Sequence, residues 1–156
     1  DIDFTSIKQQ YYDVHLLSIK NLKAGAASQS TGIQLYESGT LEDASVYHYA
    51  NNYNNTGPGG SELRSTGYKH MRLFNTSSQA INGINAYVYF YNLGDSSKYS
   101  ITTNHFFMEA ASGTYYAYFG NGLLPQASEV DGIRIDSGGS NNYTAFETKL
   151  YGVKQI

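Results

Sequence analysis

Apolar and polar residues alternate with a period of two in several short segments of the chain. The clearest case is NAYVYFY at residues 85–91. Successive side chains of a strand point to opposite faces, so this segment can bury one face and expose the other. The tyrosines of one face are Tyr87, Tyr89 and Tyr91, and the apolar residues of the other are Ala86, Val88 and Phe90.

Further short strands are predicted along the chain, separated by residues typical of turns. The predicted strands are 33–36, 46–49, 71–74, 114–119, 133–135 and 145–153, and the turns are 37–39, 75–78, 93–95 and 137–142. Gly120 to Gly122 is expected to end the strand at 114–119. About nine or ten short strands with frequent turns predict one all-β domain over residues 1–156, an antiparallel β-sandwich or jelly roll.

Two segments allow alternative interpretations. Residues 11–24 contain no Gly or Pro, so Asp13 could cap a helix, but their alternation fits a strand equally well. The strand is favoured because the neighbouring segments are all strands. In 145–153, the inward face is either Phe146, Thr148, Leu150 and Gly152 or the opposite set, which contains Tyr151 and Val153.

A polar segment at residues 50–61, ANNYNNTGPGGS, is predicted to be a long loop near the middle of the chain. Long loops on a rigid β scaffold often carry binding residues. Tyrosine offers a flat apolar ring with a hydroxyl at its tip, and asparagine can hydrogen-bond hydroxyl-rich ligands without charge. The candidate ligand-binding residues are Tyr47, Tyr49, Asn51, Asn52, Tyr53 and Asn54.

Composition excludes several classes of protein. Ten basic and 13 acidic residues give a net charge of −3, so no basic surface for nucleic acid or anionic lipid is expected. No apolar run is as long as a membrane span. The absence of Cys rules out disulfides, thiolate metal sites and a cysteine nucleophile.

Residues that could support catalysis are present but form no recognisable motif. The four histidines, His15, His48, His70 and His105, have no spacing typical of metal ligands. Two carboxylates across a cleft could hydrolyse glycans, but the sequence brings no pair together. No G-x-S-x-G motif marks a serine nucleophile. We therefore expect no enzyme activity, no metal and no cofactor. The carboxylates considered are Glu37, Glu42, Asp43, Glu62, Glu109, Glu129, Asp131 and Asp136.

The 16 tyrosines, in a chain with no Trp, are the most informative feature of the composition. If residues 85–91 expose one face, then Tyr87, Tyr89 and Tyr91 form an apolar stripe that needs a covering partner. Three interpretations remain open. The strand is buried on both faces, or the stripe is a subunit interface, or it is a platform for glycans.

Both ends of the chain resemble a known class of domain. Residues 4–17, FTSIKQQYYDVHLL, resemble an opening of the form F-x-x-I-x-x-x-Y-x-x-L-x-L, and 33–37 and 45–49 take the places of the strands that follow it. The pattern ends with I-x-x-I-x-I followed by G-[ST]-x-x-x-L-Y-G-[IV]. Similar segments here are VDGIRI at residues 130–135 and FETKLYGV at residues 146–153. This pattern is that of C-terminal domains of structural proteins of tailed bacteriophages. Ala145 and Phe146 stand where that pattern has Gly and Ser or Thr, and only the two ends match in residues.

The resemblance implies a β-sandwich on the virion surface, outside the cell, commonly a homotrimer that contacts other virion proteins. The chain begins at Asp1 without a signal-like segment, so we expect an excised or processed part of a longer protein. The first functional hypothesis is a tail fibre or spike domain that binds host surface glycan. The alternatives are a capsid decoration protein, a carbohydrate-binding module of a secreted enzyme, which usually exposes Trp, and a small glycan-degrading enzyme.

Overall fold

The computed structural model is built from twelve β-strands. It describes residues 1–25, 29–76, 80–110, 112–139 and 142–154, and this part of the chain contains no helix. The strands are β1 (Ile2–Thr5), β2 (Val14–Ala24), β3 (Gln29–Glu37), β4 (Thr40–Leu41), β5 (Tyr47–Asn55), β6 (Gly60–Tyr68), β7 (Met71–Thr76), β8 (Ala80–Tyr91), β9 (Tyr99–Ala110), β10 (Tyr115–Ala127), β11 (Val130–Asp136) and β12 (Tyr143–Val153).

The strands form two antiparallel sheets. The five-stranded sheet has the order β1-β11-β3-β4, and β7 also pairs with β3. The seven-stranded sheet has the order β12-β2-β8-β9-β10-β5-β6. The predicted antiparallel β-sandwich is therefore confirmed, with twelve strands rather than nine or ten.

One apolar core lies between the two sheets. The inward residues of the five-stranded sheet, such as Ile33 and Leu35, are fully buried, as are Val88 and Phe90 of the seven-stranded sheet. Aromatic rings join the two layers. Phe74 of β7 packs on Phe106 of β9 with ring centroids 4.9 Å apart, and Phe106 stacks on Tyr118 of β10 at 4.2 Å. The same core also contains Leu17, Ile19, Leu22, Leu73, Ile84, Leu124, Val130, Ile133 and Ile135.

The structure answers both open questions, the strand or helix choice at 11–24 and the inward face of 145–153. Residues 14–24 form β2, which pairs with β8 and β12, so the strand interpretation is confirmed. In β12, Thr148 and Leu150 face inward opposite Ile19 and Leu17. Phe146 does not join them, because register shifts near Ala145 disturb the alternation and leave its ring exposed.

The predicted loop at residues 50–61 is wrong. β5 continues to Asn55 and β6 begins at Gly60, and the two strands pair as a hairpin. Only 56–59 form the turn, in which Asn55 Oδ1 accepts a hydrogen bond from Gly57 N at 2.9 Å and Gly59 has φ +104°. The segment is polar because one face of an antiparallel sheet can remain in water. Asparagines stand on both faces of β5, so the alternation of apolar and polar residues cannot be recognised in the sequence.

The strand predicted at 114–119 does not end at residues 120–122 either. β10 runs through them to Ala127. The glycines are needed where neighbours approach closely: a Cβ at Gly120 would lie 2.1 Å from Asn51 Oδ1, and one at Gly122 would lie 2.7 Å from the Met71 side chain. A glycine in a strand can therefore mark close packing rather than a turn.

Two of the other predicted turns, at 37–39 and 93–95, agree with the structure. Ser38 and Gly39, both with positive φ, join β3 to β4, and Leu93 and Gly94 follow β8. Residues 75 and 76 belong to β7 rather than to a turn. The predicted turns at 75–78 and 137–142 also include residues 77, 78, 140 and 141, which lie outside the described residues.

The buried hydroxyl of Tyr47 provides a test of how the two sheets are joined. It accepts a hydrogen bond from Leu35 N and donates one to Glu42 O, both at 2.9 Å. Tyr47→Phe should lower the free energy of unfolding by about 1–3 kcal/mol, because the buried Leu35 N and the partly buried Glu42 O lose their partner. Urea unfolding measures this loss. Tyr99→Phe, at an exposed position, is the matched control, and equal losses in both variants would contradict the assignment.

Candidate binding face of the seven-stranded sheet

The outer face of the seven-stranded sheet carries most of the large exposed apolar side chains described in the structure. In β9 the even-numbered residues are buried, whereas the odd-numbered ones point away from the core. The same alternation in β8 and β10 turns further aromatic rings outward. Exposure reaches 45% at Tyr87 and Phe119 and 51% at Phe107. We call this surface the outer face.

The strand register aligns the outward side chains in rows across the sheet. In one row, Tyr87 of β8 lies opposite His105 of β9, His105 lies opposite Phe119 of β10, and Phe119 lies opposite Asn52 of β5. With neighbouring strands about 4.8 Å apart, this row extends about 14 Å. Aromatic rings and an amide thus form one continuous strip.

Contacts between the side chains hold these rings in place. The Tyr87 hydroxyl lies 2.9 Å from His105 Nδ1, and the two rings meet edge to face with centroids 5.5 Å apart. His105 also packs on Phe107 at 4.8 Å and on Phe119 at 6.3 Å. Tyr89 contacts Tyr87 edge to face. Rings fixed in this way lose little conformational freedom when a ligand covers them.

A shallow depression lies along this strip and combines rings with neutral polar groups. Its polar side chains include Asn52, Thr103 and Asn121, beside Tyr87 and Phe119. The described residues that line it include no Lys, Arg, Asp or Glu. Charged groups appear at the margin, in β6, where Glu62 and Arg64 form an exposed ion pair at 3.3 Å.

A second depression continues the outer face toward the turn between β5 and β6. Phe107 and Tyr115 contribute rings to it, and Asn54, Thr56 and Asn85 contribute amide and hydroxyl groups. Glu109 also lies at this end. Both depressions therefore combine exposed rings with amide and hydroxyl groups, and the second also contains the Glu109 side chain.

The tyrosine stripe predicted from the sequence faces outward. Val88 and Phe90 are buried in the core, whereas Tyr87 is exposed and Tyr89 and Tyr91 are partly exposed. The interpretation that this strand is buried on both faces is therefore wrong. All three tyrosines line the first depression, next to Asn52. Their role in a subunit interface stays a prediction.

The six residues predicted to bind ligand are divided between the two faces of β5. The side chains of Asn52 and Asn54 lie on the outer face and are exposed. Those of Tyr47, Tyr49 and Asn51 are buried, and their burial corrects the prediction that they contact a ligand at the surface.

Tyr53 also points inward, where it stacks on Tyr118 with centroids 4.8 Å apart, and it remains partly exposed. Asn51 has a structural role, because its Nδ2 donates to Arg72 O at 2.6 Å. The sequence could not separate the outward residues of β5 from the inward ones. The segment was predicted to be a loop, and side chains in a loop do not alternate between two faces.

A second polar cluster, which sequence reasoning missed, lies on the outer side of the five-stranded sheet. Ser30 Oγ is 2.7 Å from His70 Nε2, and His70 Nδ1 is 2.6 Å from Asp136 Oδ2. No sequence motif connects Ser30, His70 and Asp136, because they are too distant along the chain. Only the pairing of β3 with β11 and β7 brings them together.

Burial and hydrogen bonds set the charges in this cluster. Burial lowers the pKa of His70 below its usual value, although the Asp136 carboxylate acts in the opposite direction. Burial also disfavours ionisation of Asp136, but hydrogen bonds from His70 and from Gly138 N hold the pKa of that carboxyl below its usual range. A neutral imidazole beside an ionised carboxylate is therefore the state at neutral pH.

Comparisons with protein-family models, with curated proteins and with solved structures give no match to this chain. The resemblance to domains of bacteriophage structural proteins therefore stays a prediction. Within the described residues, no group of three or more His, Asp or Glu is arranged to hold a metal ion. The described segments include no helix long and apolar enough to cross a membrane.

Two buried imidazoles predict that the domain loses stability in mildly acidic solution. Burial lowers the pKa of His15, against a hydrogen bond between its Nε2 and Ile7 O, and burial also lowers the pKa of His70. Protonation therefore favours the unfolded chain, in which a histidine has a pKa near 6.5. Stability should be complete above that pH and fall below it, by up to about 1.4 kcal/mol per pH unit for each imidazole.

Urea unfolding at a series of pH values from about 8 to about 5.5 measures this dependence. We expect His15→Gln to reduce the slope, since glutamine can still donate to Ile7 O but does not titrate. A free energy of unfolding that stays constant over this range would contradict the assignment of two neutral buried imidazoles.

Proposed function

We propose that this domain binds carbohydrate through the outer face, as a recognition domain of a tail fibre or spike on the surface of a tailed bacteriophage. The observation that supports the proposal is the row of exposed rings beside amide groups, from Tyr87 through His105 and Phe119 to Asn52. The residues lining the depression along this row include no Lys, Arg, Asp or Glu.

The extent of the outer face favours a binding role over an ordinary protein surface. Scattered exposed apolar residues are normal, but contiguous apolar patches on soluble domains usually mark binding sites. Here Tyr87, Phe107 and Phe119 are exposed on adjacent strands and joined through His105. A partner that covers them would remove this apolar surface from water.

The chemistry of the face favours a carbohydrate as that partner. A sugar ring presents an apolar face of C–H groups, which suits an aromatic ring, and hydroxyl groups at its edge. Asn52, Asn121 and Thr103 supply neutral donors and acceptors for such hydroxyls. Ligand sites combine apolar and aromatic walls with a few polar groups in this way. A net charge of −3 does not favour nucleic acid.

The placement on a phage tail rests on the resemblance at the two ends of the chain. A capsid decoration protein is the main alternative, and a carbohydrate-binding module of a secreted enzyme is the next. The three differ in what covers the outer face: a host glycan, a neighbouring capsid protein, or the polysaccharide substrate of an enzyme. Binding experiments with intact bacteria separate the first from the others.

Binding of the purified, fluorescently labelled domain to bacterial cells tests the proposal. We expect binding to a restricted set of strains, and we expect periodate oxidation of the surface sugars to abolish it. Phe119→Ala should weaken binding about fivefold to thirtyfold, as for a central aromatic contact worth about 1–2 kcal/mol. Phe119 is half exposed on β10, so its removal should leave the core intact.

Phe146→Ala is the matched control for this experiment. Phe146 is also exposed, at 51%, but the register of β12 does not place it on the outer face. It should retain full binding. Equal losses in both variants, or binding that survives periodate, would contradict carbohydrate recognition by the outer face. Failure to bind a broad panel of bacteria would favour the capsid decoration alternative.

We also propose that copies of the domain associate as a homotrimer through the β12 side of the outer face. β12 forms an edge of the sheet and exposes Tyr151 and Val153, at 48% and 39%. The register continues their rows to Leu16 and Val14 of β2. Edge strands with exposed apolar residues are common places for association between chains, and a weakly charged surface limits repulsion between copies.

Light scattering at micromolar concentration tests this association. We expect a mass of three chains of 17.2 kDa, and we expect Tyr151→Ser combined with Val153→Ser to give monomers. Tyr11→Ser, at a position 66% exposed outside the sheet, should leave the trimer intact. A monomeric unsubstituted domain would refute the proposed trimer without affecting the proposal for the glycan site.

A further inference from the structure

We infer that Ser30, His70 and Asp136 form a nucleophilic relay in which Ser30 Oγ is activated for acyl transfer from small carboxylic esters. The cluster lies on the outer side of the five-stranded sheet, whereas the proposed glycan site lies on the seven-stranded sheet. The inference therefore goes beyond the proposed function, does not depend on it, and revises the expectation that the domain lacks enzymatic activity.

The hydrogen bonds assign a role to each nitrogen of the imidazole. An ionised carboxylate only accepts hydrogen bonds, so His70 Nδ1 carries the proton that is donated to Asp136 Oδ2 over 2.6 Å. His70 Nε2 is then unprotonated and accepts the hydroxyl proton of Ser30 over 2.7 Å. This is the order of contacts in which a carboxylate orients an imidazole and the imidazole activates a serine.

The fold holds the three side chains on one side of the five-stranded sheet. Asp136 of β11 pairs with Gly32 of β3, and Ser30 precedes Gly32 by two residues on the same strand. His70 lies between β6 and β7 and covers Gly32. A Cβ at Gly32 would lie 2.2 Å from His70 Cδ2, so only glycine leaves room for the imidazole.

Further contacts fix the carboxylate and the imidazole. Asp136 Oδ1 accepts a hydrogen bond from Gly138 N at 3.0 Å, which leaves Oδ2 for His70. The His70 ring also meets the ring of Tyr68 edge to face, with centroids 5.0 Å apart. A general base must be held in position for efficient proton transfer, and these contacts provide that positioning.

The base and the carboxylate of the relay are buried, whereas the serine that would attack the substrate is partly exposed. His70 is completely buried and Asp136 nearly so, whereas Ser30 is partly exposed. An ester in solution can therefore approach Ser30 while the imidazole behind it is shielded from water. Burial also lowers the pKa of His70, so the base is unprotonated at neutral pH.

A positive charge lies close to the same end of the sheet. Lys69 Nζ donates to Gly138 O at 3.3 Å, and Gly138 packs directly on the backbone of Ser30. The positive charge of Lys69 interacts electrostatically with both His70 and Asp136 and lowers the pKa of each. A cation in this position would stabilise the negative charge that develops when Ser30 attacks a carbonyl group.

The reaction balances without any added cofactor. Ser30 Oγ attacks the ester carbonyl carbon while His70 Nε2 takes the hydroxyl proton, and Asp136 stabilises the imidazolium. The bond between the carbonyl carbon and the alkoxy oxygen then breaks, and His70 returns the proton to the leaving alcohol. Water, deprotonated by His70, attacks the acyl-serine, which releases the carboxylic acid and restores Ser30.

The position of Ser30 favours short acyl groups. It lies on the surface of the five-stranded sheet, not among the residues that line the depressions of the outer face. Long acyl chains need an apolar channel, whereas an acetyl group needs only access to the nucleophile. We therefore assign small O-acyl esters, such as acetyl esters, as the substrate class.

Labelling with a fluorophosphonate probe tests the relay. In that reaction Ser30 Oγ forms a bond to phosphorus, fluoride leaves, and His70 takes the proton. We expect one adduct per chain, mapped to Ser30 by peptide mass spectrometry, and no adduct in Ser30→Ala. His70→Gln and Asp136→Asn should label at least about a hundredfold more slowly, the usual effect of losing a general base or its orientation.

Ser128→Ala is the matched control. Ser128 is also partly exposed and its hydroxyl donates to the Glu37 carboxylate, so it has an acidic neighbour but no imidazole. This variant should label at the unsubstituted rate. Thermal unfolding confirms that each variant is folded, and the Asp136→Asn variant, which keeps the shape of the side chain, remains informative if His70→Gln unfolds.

The pH profile gives a second readout, which a purely structural cluster would not produce. The labelling rate should follow the fraction of unprotonated His70 and reach its plateau below the pH at which an ordinary histidine would. Hydrolysis of p-nitrophenyl acetate should show the same dependence and should be lost in Ser30→Ala. The inference is overturned if saturating probe leaves Ser30 unmodified, or if folded Asp136→Asn labels Ser30 at the unsubstituted rate.

Discussion

Only one face of the seven-stranded sheet is covered by the other sheet, and the alternation of side chains along each strand determines what the open face presents. In β9, Phe106 and Met108 belong to the core, whereas His105 and Phe107 point outward. A shift of the register by one residue would exchange the two sets. The core packing that stabilises the fold therefore also fixes the outward rings, so stability and the proposed binding function depend on the same register.

The two outer surfaces of the sandwich differ in chemistry. The centre of the outer face, along the depression beside Tyr87, is aromatic and includes no Lys, Arg, Asp or Glu, and side-chain contacts hold rings such as Tyr87 in place. The five-stranded sheet carries ionised and hydrogen-bonded side chains, including Ser30, His70 and Asp136, and a cluster in which Arg134 binds Asp3 at 2.7 Å. Recognition of a glycan and chemistry on an ester would therefore use opposite sides of one domain, which leaves both surfaces accessible at the same time.

The sequence predicted the parts of this fold in which apolar residues alternate clearly. The strand at 85–91 and its outward tyrosines follow directly from the period of two. The pattern of residues 11–24 fits a helix equally well, so the strand there is favoured only because the neighbouring segments are strands. The β5–β6 hairpin could not be predicted in the same way, because its outward residues are asparagines in a segment that also looks like a loop. The cluster of Ser30, His70 and Asp136 could not be predicted from local sequence, because only the pairing of distant strands brings the three residues together. Gly120 and Gly122 were wrongly predicted to end a strand for a related reason. Their role depends on close contact with Asn51 and Met71, which are remote in sequence.

The measurement that most directly tests the central claim is an NMR titration of the isotope-labelled domain with surface polysaccharide purified from a strain to which it binds. The account predicts that the perturbed signals cluster on β8, β9, β10 and β5, with the largest changes at Tyr87, His105 and Phe119 and at the side-chain amides of Asn52 and Asn121. Perturbations confined to the five-stranded sheet or to the turns, with the signals of the outer face unchanged, would contradict it.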